Sequence, residues 1–125
     1  MTDTDFIFLG GLHSLAFGLF HVGFWKLFDW KNDLRGNSVA NRAIIQILNL
    51  RLIYVFFGIA ALCFLFPDDL AGTTLGRAVL AGMSLFWIGR TIEQWIFLPY
   101  NRLPVHALTA LFLLGAGLFA APLFN

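Results

Sequence analysis

Four apolar runs, at residues 6–28, 43–66, 76–98 and 105–121, occupy most of this chain. Each is about long enough to cross the roughly 30 Å hydrocarbon core of a bilayer as a helix. Backbone amides and carbonyls have no water to bond inside hydrocarbon, so a segment that crosses alone has to be helical. Only 12% of the 125 residues are charged while 59% are hydrophobic, which is about half the charged fraction of a soluble domain. The expectation is an all-α integral membrane protein of one domain, residues 1–125. Short loops make consecutive helices antiparallel neighbours, so the expected fold is an up-down-up-down bundle of four transmembrane helices.

The breaks between runs carry the residues that stop and start helices. Residues 29–39 hold Lys31, Asp33, Arg35 and the turn pair Gly36-Asn37, and Asn41 is a candidate cap for the second helix. Pro67-Asp68-Asp69 ends the second run, Thr73 or Thr74 caps the third, Pro99 stops it, and Pro104 suits the first turn of the fourth. Small residues recur at four-residue spacing in Ala78/Gly82, Ala116/Ala120 and Gly117/Ala121. That spacing lets helix backbones approach closely, within one chain or across a homo-oligomer or larger membrane complex.

Charge placement predicts orientation. Lys26, Lys31, Arg35 and Arg42 flank the first loop and Arg102 lies in the third, whereas Asp3, Asp5, Asp68 and Asp69 mark the N-terminus and second loop with only Arg77 among them. Basic loops stay in the cytoplasm, so both termini are expected on the outer, periplasmic side of a bacterial-type inner membrane. The bias counts against dual-topology insertion and a small antiparallel-dimer exporter. Trp25, Trp30, Trp95 and Tyr100 fall at the cytoplasmic interface, as aromatic belts do. The acidic start and the lack of a cleavage motif after Phe28 predict that the first run stays in the mature protein. The basic residues form no stripe, so no nucleic-acid partner is expected. The single cysteine, Cys63, excludes an internal disulfide and Cys-pair chemistry, and with it a quinone-linked thiol oxidase.

Within this apolar chain, Arg90-Thr91-Ile92-Glu93-Gln94 is the one stretch that sets a carboxylate inside a hydrophobic run. A charge in a bilayer costs at least roughly 2.5–3.5 kcal/mol, so it pairs, faces a cavity or carries a function. Glu93 is expected to pair with Arg90, three residues earlier, or with Arg51 across a helix interface. Depth along each run places His21, Gln46, Asn49, Arg51, Arg90, Glu93, Gln94 and His106 in the cytoplasmic half. Arg42, Gln46 and Asn49 share one stripe, Arg90, Glu93 and Gln94 another with Met83, Phe86 and Trp87, and His106, Thr109, Leu113 and Gly117 a third. These stripes predict a polar pocket in the cytoplasmic half that binds a small amphipathic ligand, with a quinone, a lipid headgroup or haem leading.

Haem b would need two histidines on facing helices, and His21 with His106 matches in depth. One buried carboxylate and no Glu-x-x-His pair leave too few ligands for zinc or a di-iron centre, so no metal site is expected. Two further roles fit the same residues. In a lipid- or quinone-directed enzyme, Glu93 or His21 would act as acid or base beside Arg90 or Arg51. In a non-catalytic subunit or assembly factor, the polar side chains would only lock helix packing, at about 0.6 kcal/mol per contact in membranes.

Overall fold

Thr2, Ser38 and Thr73 open three helices in the same manner. Each has extended backbone, and its side-chain oxygen accepts a hydrogen bond from the amide three residues on, at Asp5, Asn41 and Gly76, satisfying a donor that a helix start leaves free. The computed structural model describes residues 1–125 and is helical throughout, with no strand. Its long helices are α1 (Asp3–Val22), α2 (Val39–Leu65), α3 (Thr74–Phe97) and α4 (Leu103–Ala120), the last with proline in its first turn. Short helical turns, Phe24–Leu27, Trp30–Asp33 and Leu34–Gly36, join α1 to α2, and Pro67–Gly72 joins α2 to α3. The cap of α2 is Ser38 rather than Asn41, which supplies the bonded amide instead.

Three helices, Asp3–Val22, Val39–Leu65 and Leu103–Phe124, are long and apolar enough to cross a membrane. The helix α3 has the length, but Arg77, Arg90 and Glu93 reduce its apolar character. The distribution of polarity supports the same class. Leu19, Leu65, Leu85 and Ile96 are among many large apolar side chains on the outside, while Ser14, Asn49, Ser84, Thr91 and Gln94 are buried beside an apolar core, an outer surface that suits lipid better than water.

Consecutive helices run antiparallel. In α1, Gly11 lies against Cys63 and Phe64 of α2, and Gly18 lies against Phe57. A Cβ at Gly11 would stand 2.6 Å from the Phe64 ring, so only glycine permits this approach. The pair α3 and α4 is tied by Ser84 Oγ donating to Ala116 O at 2.9 Å and Gln94 Nε2 donating to Val105 O at 3.3 Å. Contact between α1 and α4 joins the two pairs. Between α2 and α3 the link is aromatic, with Phe56 stacked on Trp87 at 5.6 Å and edge-on to Phe86 at 6.0 Å.

Both termini meet at one end. Asn125 Nδ2 donates to Asp3 Oδ1 at 2.6 Å, and the Arg77 guanidinium donates to the carbonyls of Pro122 and Leu123 at 3.2 and 2.8 Å. A cation there satisfies carbonyls that the end of a helix leaves open. At the other end the first apolar run is not one continuous helix to residue 28. It breaks at Gly23, whose amide reaches back only to Phe20 O. Asn49 Nδ2 donates to the His21 carbonyl just before the break, at 3.0 Å, and the Trp25 indole N–H donates to Gln46 Oε1 at 3.0 Å.

Candidate functional site

The polar stripe of α3 straddles the edge of the bundle. With about 100° per residue, Gln94 lies about 40° from Arg90 toward Trp87, and Glu93 lies about 60° from it in the opposite direction. Burial follows that order, since Trp87 and Gln94 are buried, Arg90 is half-buried and Glu93 is exposed. The expected pairing of Glu93 with Arg90 is therefore replaced by separation, and no carboxylate comes within 4.0 Å of the guanidinium. Instead Arg90 Cζ lies 4.7 Å from the centroid of the Phe112 ring on α4. A cation over an aromatic face gains about 0.5–2 kcal/mol, which offsets only part of its desolvation.

Arg90, Gln94 and His21 line one cavity of about 190 Å³ whose remaining wall is largely aromatic, including Phe17, Phe56, Trp87 and Phe112. The indole of Trp87 is sandwiched there, stacked on Phe56 at 5.6 Å and on Phe112 at 5.5 Å. The His21 ring lies 5.1 Å from that of Phe56. Its Nδ1 is 2.7 Å from Phe17 O, and a carbonyl only accepts, so Nδ1 carries the proton and the neutral ring keeps the lone pair on Nε2. The arrangement is a space of about 190 Å³ with a largely aromatic wall, one cation and an imidazole among its lining residues.

A second, almost wholly apolar groove of about 470 Å³ runs between α1 and α4, lined by Leu9, Leu12, Ala16, Leu108, Leu111 and Leu114 among others, with His13 its one polar member. The groove and the cavity share Phe17, Phe20 and Leu108. His13 Nε2 donates to Leu111 O at 2.8 Å, and its ring is edge-on to Trp87 at 4.9 Å. This contact requires Gly115, because a Cβ there would stand 2.5 Å from His13 Cε1.

Five of the eight expected site residues lie elsewhere. Glu93 is on the outside of α3. Arg51 is exposed on α2, 5.7 Å from the Tyr54 ring of its own helix, and does not meet Glu93. His106 is exposed, 2.6 Å from Asn101 Oδ1, in a surface cleft with Trp95 and Tyr100. The stripe His106, Thr109, Leu113 and Gly117 faces away from the core because the inward face of α4 is Leu108, Phe112, Ala116 and Phe119. His21 and His106 thus open on different cavities and do not face each other as an axial pair. Asn49 faces the end of α1 and Gln46 the turn Phe24–Leu27 beyond it, and the two hold the chain on either side of the break. No group of three or more His, Cys, Asp and Glu side chains comes together.

The aromatic wall had no distinct mark in a chain with 15 phenylalanines. Its one sequence signal is Trp87, a single helical turn before Arg90. No protein-family model, no curated protein and no solved structure matches the chain.

Proposed function

We propose that the chain spans a bacterial-type inner membrane four times, with both termini outside, and that its interior cavity binds the ring of a quinone-class molecule through Arg90. The orientation rests on Lys26, Lys31, Arg35, Arg42 and Arg102 gathering at the end opposite the termini. The observation that carries the ligand is the half-buried Arg90, which lines the aromatic cavity with no carboxylate within 4.0 Å of its guanidinium. A cation held in an apolar interior favours a partly negative oxygen, and its N–H groups point at one. A ring carbonyl supplies that oxygen, and a wall built largely of aromatic side chains, Phe17, Phe20, Phe24 and Phe86 among them, suits an apolar ring better than a lipid headgroup. The apolar groove between α1 and α4 gives an attached tail a path toward lipid. Haem fits less well, since His21 faces the cavity without a second histidine opposite it.

The test is solvent extraction of the purified protein followed by mass spectrometry. A tailed quinone at near-stoichiometric amount, lost in Arg90→Met, supports the reading, whereas equal content in the wild type and Arg90→Met contradicts it.

A second reading, a subunit of a larger membrane complex, has its own support. Gly82 and Gly117 face open space, with nothing within 4 Å of a Cβ built there, so a neighbouring helix has room to approach either.

A further inference from the structure

Residues that line the cavity carry unused hydrogen-bonding capacity of a particular kind. Gln94 is only 1% exposed, and its Nε2 donates to Val105 O at 3.3 Å, which assigns the other amide atom, Oε1, as an acceptor. That oxygen is buried without a partner. The lone pair of His21 Nε2 is a second acceptor, because Nδ1 is committed to Phe17 O. The Arg90 guanidinium, one turn before Gln94 on α3, is the donor among the residues that line the same cavity. The buried indole N–H of Trp87 also lacks a partner, but Cδ1 beside it lies against Gly115, on the side where His13 packs.

An oxidised ring, whose oxygens only accept, answers Arg90 and leaves Gln94 Oε1 and His21 Nε2 unpaired. A reduced ring carries two hydroxyl groups, each of which donates through hydrogen and accepts through oxygen. It has one donor for each of the two acceptors and an oxygen for Arg90. Resting on the reading that this cavity holds a quinone-class ring, we propose that the site selects the quinol form over the quinone. A buried acceptor left without a donor is penalised more than a satisfied one is rewarded, which makes Gln94 a determinant of redox-form specificity.

Isothermal titration calorimetry on the full chain in detergent micelles tests this, using a decyl-tailed benzoquinol kept reduced without oxygen and the matching benzoquinone. The quinol is expected to bind about tenfold tighter or more, and a tenfold preference corresponds to a rise of about 30 mV in the midpoint potential of the bound two-electron couple. In Gln94→Met, which asks for no donor, the two forms should bind with nearly equal affinity. Gln94 also ties α3 to α4, so His21→Phe provides an independent variant in which the gap must narrow. Equal binding of both forms to the wild type, tighter quinone binding, or a gap unchanged in both variants overturns the proposal while leaving quinone-class binding intact. Failure of both forms to bind removes the reading beneath it.

Discussion

The two ends of the molecule solve opposite packing problems. At the end holding both termini, small residues let the elements close. Gly11 admits Phe64, Gly10 lies under Phe119, Gly76 admits the turn Pro67–Gly72, and Arg77 binds the carbonyls of Pro122 and Leu123. Toward the opposite end, large rings keep the helices apart. Phe17, Phe56, Trp87 and Phe112 touch across the interior and leave the cavity that His21, Arg90 and Gln94 line. Close backbone approach thus marks the end that holds the termini, and the cavity lies where side chains alone bridge the gap.

The comparison can be broken by substitutions that should affect one end and spare the other. The largest effect is expected at the closed end. A Cβ at Gly76 would meet the Asp69 carbonyl and the Leu70 backbone, which cannot swing aside as a side-chain tip can. Gly76→Ala should lower stability by about 3 kcal/mol in denaturant titration, with the affinity of the surviving folded protein unchanged.

Next is Arg90→Met at the open end, where the pattern should invert. Affinity for a decyl-tailed benzoquinol should fall about tenfold or more by calorimetry. Stability should hold or rise slightly, since an apolar replacement removes a half-buried charge that has no carboxylate within 4.0 Å.

Smaller effects should come from side chains that only join helices. Asn49→Leu leaves the His21 carbonyl without its side-chain donor, and Ser84→Ala removes the bond to Ala116 O. Each should cost about 0.6 kcal/mol, read as a small fall in denaturation midpoint. The smallest effect is expected for Glu93→Gln. Its side chain is on the outside, so stability should change by less than about 0.5 kcal/mol and quinol affinity should not move.

Helix existence was legible because apolar length and capping residues act locally. Thr73, Pro67 and Pro104 end or start helices where their backbone chemistry requires. The break at Gly23 was not, since the apolar run continues through Phe24 and Leu27 and one glycine in such a run does not mark a kink. The site was legible only in part. His21, Arg90 and Gln94 do share a cavity, but which side of α3 faces inward depends on packing. In a membrane chain both faces of a helix are apolar, so periodicity carries little information on this point. Glu93 and Arg90, about 60° apart, fell on opposite sides of that boundary for the same reason. His106 looked like a match for His21 in depth, yet depth does not specify the direction in which a side chain points.

The most direct test of the account is a double-mutant cycle on Arg90 and Glu93, built from Arg90→Met, Glu93→Gln and the combination, with stability measured by denaturant titration in micelles. A guanidinium turned inward over Phe112 and a carboxylate turned outward should give additive effects, with an interaction energy below about 0.5 kcal/mol. A coupling above about 1 kcal/mol would show that the two charges form an ion pair, and Arg90 would no longer be free to hold a ligand.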